Sequence, residues 1–205
     1  MTRTEGEGGT LERPGGFESV TPGQVLGERY QILERLGSGG MGEVWHAFDL
    51  KLRVEVALKA LREDLFKSAD RLELLRREVR AAREVMSPHV CRIFYLVEVN
   101  GRELVSMEYV DGNTLKEIIK HRGKISPGGI VHVLTQMCEA LAYAHEQKVV
   151  HRDIKTANTM WTRDRKAKIM DFGLAKVIEE VRNHTHVALG PPSDTVPEHP
   201  PGKKT

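Results

Sequence analysis

Only two of the 205 residues are cysteine, Cys91 and Cys138, and they form no CxxC pair. A disulfide framework is therefore not expected. Neither is a thiolate metal site, since His89 near Cys91 makes only two candidate ligands. An excess of one charge is also lacking. Lys plus Arg is 31 against 29 for Asp plus Glu, a net +2. That balance argues against bulk electrostatic attachment to nucleic acid or to a membrane surface. No run approaches the roughly 18 apolar residues of a membrane span. The first residues have no apolar core of a secretory signal, and Thr2 stands where a myristoylated chain has glycine. A reducing, cytoplasmic setting is expected. Internal repeats are absent too. What remains is 40% hydrophobic and 29% charged residues, the balance of a soluble globular protein of one domain or two small ones. A collagen, a coiled-coil rod and a wholly disordered chain are excluded.

Residues 1–27 are rich in Gly, Glu, Thr and Pro and carry two arginines against four glutamates. Such a segment buries too little to offset its ordering entropy and reads as disordered, with order beginning near Glu28. From there, short β-branched and aromatic runs follow: Tyr30 to Leu36, Gly42 to Phe48, Val54 to Leu61, Cys91 to Glu98 and Glu103 to Tyr109. Asn100-Gly101 predicts a hairpin between the last two. Between the third and fourth runs, Leu72, Leu75, Val79, Ala82 and Met86 recur at helical spacing within Asp70 to Met86. The first unit is thus five strands and one helix.

The rest reads as mainly helical. Thr114-x-x-Glu117 fits a capping box opening a helix through Lys120. Ser126-Pro127 opens another, with Ile130, Leu134, Met137, Leu141 and His145 at helical spacing. Short β-like pieces follow at Val149-Val150 and Lys168 to Met170. The stretch from Gly190 onward holds five prolines and reads as a loop or disordered tail.

Five motifs carry chemistry. Gly37-Ser38-Gly39-Gly40-Met41-Gly42 is a GxGxxG, alone no more than a glycine-rich turn. A strand (Val44, Trp45, Phe48) follows it rather than a helix, which suits a flap whose backbone N–H groups approach phosphates. In Val56-Ala57-Leu58-Lys59, period 2 puts Ala57 and Lys59 on one strand face, where they could seat a purine and grip phosphates. Glu78, 19 residues after Lys59 and flanking the apolar stripe of its helix, is the favoured acidic partner for that lysine, ahead of Glu73 and Glu84. In His151-Arg152-Asp153-Ile154-Lys155-Thr156-Ala157-Asn158, Asp153 could take a hydroxyl proton, Lys155 could steady a phosphoryl group, and Asn158 could offer its oxygen to a hard cation. Asp171-Phe172-Gly173 places a carboxylate at the end of a buried strand, suited to a metal.

Singly, each motif has an ordinary structural reading: a turn, a surface lysine, a solvated helix face, a polar loop, a chance triplet. Their order is specific. The series closely resembles the eukaryotic-like serine/threonine protein kinases, with a bacterial flavour, over roughly residues 30 to 175. Lys155, two residues after Asp153, fits the Ser/Thr branch. The resemblance implies an α+β, two-lobe fold. Residues 28–110 would form a five-stranded N-lobe with one helix plus the hinge. Residues 111–189 would form an incomplete, mainly helical C-lobe. Residues 190–205 would form a degenerate closing motif and tail. It implies Mg²⁺ and ATP as cofactors. Gly37, Ser38, Gly39, Gly40, Met41 and Gly42 would cover the phosphates. Leu36, Val44, Ala57 and Met160 would sandwich adenine, Met107 would act as gatekeeper, and the backbones of Glu108 and Val110 would bond the purine edge. Lys59 would hold phosphates and pair with Glu78. Asp153 would be the base, Lys155 would assist it, and Asn158 and Asp171 would bind metal. The substrate would be a Ser/Thr hydroxyl of another protein. Arg152 implies control by phosphorylation, with Thr185 ahead of Ser193 and Thr195.

The sequence departs from the family pattern near its end. Gly190-Pro191-Pro192-Ser193-Asp194-Thr195-Val196-Pro197-Glu198 stands where a GTPxYMAPE-like stretch is usual, and Thr156 stands where Pro is common. The family's later helices are not represented after it. The helix from Ile130 to His145 is therefore expected to expose an apolar patch, for which a covering partner is conceivable. A nucleotide-binding interaction module without phosphoryl transfer, or a kinase fragment with no function of its own, are the competing expectations.

Overall fold

A computed structural model describes residues 20–39, 42–62 and 68–174. A six-stranded antiparallel sheet, ordered β1-β2-β3-β4-β6-β5, forms the upper unit. Its strands are β1 (Val25–Leu26), β2 (Tyr30–Gly39), β3 (Gly42–Asp49), β4 (Val54–Leu61), β5 (Ile93–Val99) and β6 (Arg102–Glu108). The count exceeds the expected five because β1 lies inside the stretch read as disordered. Val25 pairs with Gln31 and Leu26 with Tyr30 across a tight reversal in which Gly27 and Glu28 take positive φ. Two residues are too few to register as a hydrophobic period. Val54–Leu61 agrees with the sequence reading at both ends. The β5–β6 reversal runs through Asn100 (φ 53°) and Gly101 (φ 75°), the left-handed pair that an Asn-Gly hairpin requires.

Alternation along β4 divides two cores. Val56, Leu58 and Ala60 pack with Tyr30, Ile32, Trp45, Ala47 and Leu104 on the outer face. Ala57 and Leu61 face the other way, toward α1 (Ala69–Arg83) and the lower unit. Ser68 caps α1 by accepting from the Arg71 amide at 3.4 Å, and Leu75, Val79 and Ala82 bury its inner stripe. The helix stops short of the expected Met86, which is exposed. Pro88 disfavours helical geometry in the residue before it, and the chain exits through i→i+3 bonds at Glu84 and Val85.

Below the sheet come β7 (Gly112–Thr114), α2 (Leu115–Arg122), α3 (Pro127–Glu146), a 3₁₀ turn at Thr156–Asn158, β8 (Thr159–Thr162) and β9 (Ala167–Ile169). Strands β7, β8 and β9 form a second small sheet. The capping box is complete: Thr114 Oγ1 accepts from the Glu117 amide at 3.1 Å, and Glu117 accepts from the Thr114 amide at 2.8 Å. Ser126 caps α3, with Pro127 at its first position. Val149-Val150, expected as strand-like, forms no strand.

Helix α3 turns a different face inward from the one its large apolar residues suggest. Val133, Gln136, Met137, Ala140 and Ala144 are buried, while Ile130, Val131 and Leu134 are exposed. Two alanines let the helix approach β9 closely. The buried Gln136 meets the polar cost by accepting from the Ala167 amide at 2.8 Å. The expected apolar patch is therefore present among the described residues, on the side of α3 away from β9. Of the N-terminal stretch expected to be disordered, residues 1–19 lie outside the described residues. So do Gly40, Met41, Thr185 and everything from residue 175 onward.

Candidate active site

A cleft of about 830 Å³ opens between the two sheets. Its roof is the β2–β3 hairpin, where Ser38 pairs with Glu43 and Gly39 with Gly42. Gly42 has φ 134°, and a Cβ there would run into the Ala60 carbonyl. Only glycine permits this close approach of β3 to β4. Leu36, Gly37, Ser38, Gly39, Gly42 and Val44 line the roof. Ala57 and Lys59 reach the cleft from β4, on the face opposite the outer core. Met107 and Glu108 close the back, Val110 follows, and Met160 rises from β8.

The floor is assembled by the 151–158 loop and the residues after β9. His151 is 1% exposed. Its Nε2 donates to the Met170 carbonyl at 2.6 Å and its Nδ1 accepts from the Asp153 amide at 3.2 Å, which fixes the tautomer. Its ring packs edge-on against Phe172, centroids 4.7 Å apart. Burial pushes the imidazole below its ordinary value, more than the bond to Met170 raises it. Histidine here is a neutral strut that ties the loop to the Asp171-Phe172-Gly173 segment. The Met170 amide donates back to the Asn158 carbonyl at 2.8 Å, doubling the tie.

Asp153 then faces the cleft with both flanking groups on it. Lys155 Nζ donates to its Oδ2 at 2.6 Å and Asn158 Nδ2 donates to the same oxygen at 2.9 Å. Burial raises the Asp153 carboxyl, but these two hydrogen bonds together with the nearby positive charge of Lys155 hold it below the usual carboxylate value. Asn158 Nδ2 also donates to the Asp153 carbonyl at 2.9 Å, leaving the amide oxygen available to a cation. Across the cleft, Lys59, 4% exposed, donates to Asp171 Oδ1 at 2.6 Å. Arg152 (φ 66°) and Asp171 (φ 61°) both hold left-handed backbone, a strain that clusters at functional sites. Gly173 (φ 77°) lies against α1. A Cβ there would stand 3.0 Å from the Glu78 carbonyl and 3.1 Å from Ala82. Glu78 is thereby held above the Asp171 segment, although it does not line the cleft.

Sixteen sequence-predicted residues surround one cavity: Leu36, Gly37, Ser38, Gly39, Gly42, Val44, Ala57, Lys59, Met107, Glu108, Val110, Asp153, Lys155, Asn158, Met160 and Asp171. Gly40 and Met41 fall outside the described residues. Sequence reasoning did not assign Tyr109, Gly112, Asn113, Thr114, Glu117, Ala157 and Met170 to the cleft, yet they line it. Thr114 and Glu117 were legible only as a helix cap. That same cap fixes the start of α2 at the cleft's mouth, and its hydrogen bonds from the Thr114 amide and hydroxyl hold the Glu117 carboxyl low.

Lys168 Nζ grips both oxygens of Glu108 at 2.8 and 2.9 Å. The buried Cys91 thiol donates to the Glu108 carbonyl at 3.4 Å. Desolvation pushes that thiol well above its ordinary value, so it stays a neutral donor.

Residues 30–195 match the family described as protein kinase domain. The serine/threonine-protein kinase PknB of Mycolicibacterium smegmatis is 35% identical over 191 residues, covering 90% of this chain and 31% of the relative. The serine/threonine-protein kinase PrkC of Bacillus subtilis is 37% identical over 169 residues, covering 82% and 26%. Among solved structures, the PknI kinase domain of Mycobacterium tuberculosis superposes with a TM-score of 0.68 at 27% identity, covering 76% of this chain and 64% of that one. The chain spans about three tenths of the length of the curated relatives it matches. No helix among the described residues is long and apolar enough to cross a membrane. With a two-layered cleft of this construction and a family match over residues 30–195, the chain belongs to the protein kinase domain family.

Proposed function

We propose that the chain transfers the terminal phosphoryl group of ATP to Ser or Thr hydroxyls of proteins. The observation that carries this reading is the convergence of Asp153, Lys155, Asn158, Asp171 and Lys59 on one cleft beneath a glycine-rich hairpin. A low-lying carboxylate within reach of the opening suits a group that accepts the hydroxyl proton as the oxygen–phosphorus bond forms. Lys155, at 2.6 Å, keeps that carboxylate aimed and adds positive charge where the transition state becomes more negative. Ala57, Val44 and Met160 supply apolar walls for a purine, and the Glu108–Val110 backbone supplies its polar edge.

The donor set fits a hard divalent cation. Asp171 offers a carboxylate and Asn158 a free amide oxygen, oxygen ligands of the kind Mg²⁺ takes alongside phosphates. Bound there, Mg²⁺ would screen the phosphate charges. Lys59 would hold phosphates and pair with Glu78, whose helix is anchored on Gly173. A cytoplasmic site of action suits two cysteines that are both free.

A second reading has one observation of its own. The exposed Ile130, Val131 and Leu134 on α3 suit a nucleotide-binding module that works through a protein partner covering that face. Phosphoryl transfer from γ-labelled ATP, with Mg²⁺ and a generic basic protein, separates the two. Transfer that disappears in Asp153→Asn is the expected result. Equal background in both chains, with nucleotide still bound, would overturn the transferase reading and favour the module.

A further inference from the structure

Glu117 lines the cleft, yet no step of the proposed transfer uses it. As the third residue of α2 it completes the capping box, but it does so with one oxygen only. Its Oε2 accepts from the Thr114 amide and from the Thr114 hydroxyl, both at 2.8 Å. Its Oε1 has no hydrogen bond among the described residues. The bonds from Thr114 hold the carboxyl below its ordinary value, so it carries its charge at neutral pH. The side chain is exposed, at the cleft's mouth. A capping box is served by Gln as well as by Glu, so the cap alone does not call for a charge here.

The carboxylate stands close to the reacting floor. Helix α2 packs against the 3₁₀ turn at Thr156–Asn158, and Asn158 in turn holds Asp153 at 2.9 Å. Asp153, Ala157 and Glu117 border the same opening. Polypeptide flanking a hydroxyl presented to Asp153 leaves through that opening, advancing about 3.3 Å per residue when extended. A fixed charge with one oxygen unused suits a cationic donor, because a charge-assisted hydrogen bond is about twice as strong as one from a neutral group such as a sugar hydroxyl. We infer that Glu117 is a specificity-determining residue for the polypeptide substrate: its Oε1 receives the side chain of an Arg or Lys lying a few residues from the phosphoacceptor. This rests on the reading of the chain as a protein phosphotransferase. Glu117 moves no phosphoryl group; it selects which hydroxyl reaches Asp153.

The test uses the 205-residue chain with Mg²⁺, γ-labelled ATP and synthetic peptides. Each peptide has one Ser in an otherwise neutral background and a single Arg placed at successive positions on either side. A peptide with Ala in place of Arg is the reference. The readout is the ratio of kcat/KM for Arg to that for Ala within each chain, so a general loss of activity cancels. Glu117→Gln keeps the cap and removes the charge, and thermal melts confirm that it is folded. Asp153→Asn run alongside excludes a contaminating kinase. The unsubstituted chain should prefer Arg about fivefold at one register, the upper end for an exposed ion pair, and the ratio should fall to about one in Glu117→Gln. Transfer with no Arg preference at any register, or with a preference that Glu117→Gln leaves intact, overturns the inference while the transferase reading stands. A raised KM for ATP in Glu117→Gln with the peptide ratio unchanged assigns the carboxylate to the nucleotide and overturns it equally. If the unsubstituted chain phosphorylates no peptide, the transferase reading falls and the inference with it.

Discussion

Lys59 Nζ donates to Asp171 Oδ1 at 2.6 Å, joining the fourth strand of the upper sheet to the segment that leaves β9. The two residues come from opposite walls of the cleft, and their pairing brings a cation and a candidate metal ligand to one point. Lys59 is 4% exposed, so water screens its side of the pair little. Lys59→Met should lower phosphoryl transfer on the order of 10²- to 10³-fold, the loss typical of a fixed charge at a developing negative centre. Steady-state rates with labelled ATP would check it. Activity within twofold of the unsubstituted chain would remove Lys59 from the machinery.

Asp153 invites a sharper test because its neighbours set its acidity. Burial raises it, and the hydrogen bonds from Lys155 and Asn158 together with the Lys155 charge more than reverse that. Its proton-accepting form should therefore persist as pH falls from neutrality to below about 4, the ordinary carboxylate range. Asp153→Asn should lower kcat by about 10²- to 10⁴-fold while leaving nucleotide affinity nearly unchanged. Lys155→Met removes the 2.6 Å donor and should shift the acid limb of the pH–rate profile upward. An unmoved limb would mean that another group controls it.

The cleft was largely legible because its parts lie in short, contiguous motifs. Alternation in Val56–Lys59 put Ala57 and Lys59 on the cleft face, and the two cores of the sheet bear out that division. Features that depend on tertiary approach were not legible. Nothing local marks Val25–Leu26 as a strand, since its stability comes from pairing with Gln31 and Tyr30. The inner face of α3 was not legible because Ala140 and Ala144 carry little hydrophobic signal, although close packing against β9 selects them. The stack of His46 on Tyr109 joins residues 63 positions apart, with no periodicity to announce it.

Away from the cleft, Asp49 tests what holds the upper sheet. Its carboxylate is 1% exposed and accepts from Arg29 Nε and Nη2 at 2.7 to 3.1 Å and from the amides of Lys51 and Leu52. It thus fixes both the start of β2 and the β3–β4 turn. Burial raises the carboxyl, but the arginine and the amides together hold it below its ordinary value. Asp49→Ala strands a half-buried guanidinium and should cost about 3–5 kcal/mol by urea denaturation, the range for breaking a buried pair. A group with a depressed folded value stabilises above its unfolded value. That contribution should be intact above roughly pH 4 and lost as pH falls through the lower, folded value. A loss below about 1 kcal/mol would mark the pair as ordinary surface electrostatics.

His151 gives the opposite handle on pH. Burial holds its imidazole below the ordinary value in the folded chain, so the unfolded chain takes up the proton first. Stability from this group is full above about pH 6.5 and falls with acidification until the folded imidazole is itself protonated. The unfolding midpoint should therefore drop as pH is lowered from about 7 to about 5.5, by an amount that His151→Gln abolishes. Glutamine keeps an amide that can still donate toward Met170, whereas His151→Ala loses the 2.6 Å bond and the contact with Phe172 and should cost about 2–4 kcal/mol. Because His151 also receives the Asp153 amide, the alanine variant should lose kcat in greater proportion than nucleotide affinity. Matched losses in kcat and affinity would instead mean that the whole floor had collapsed. A midpoint that falls equally in His151→Gln would assign the acid sensitivity to other groups.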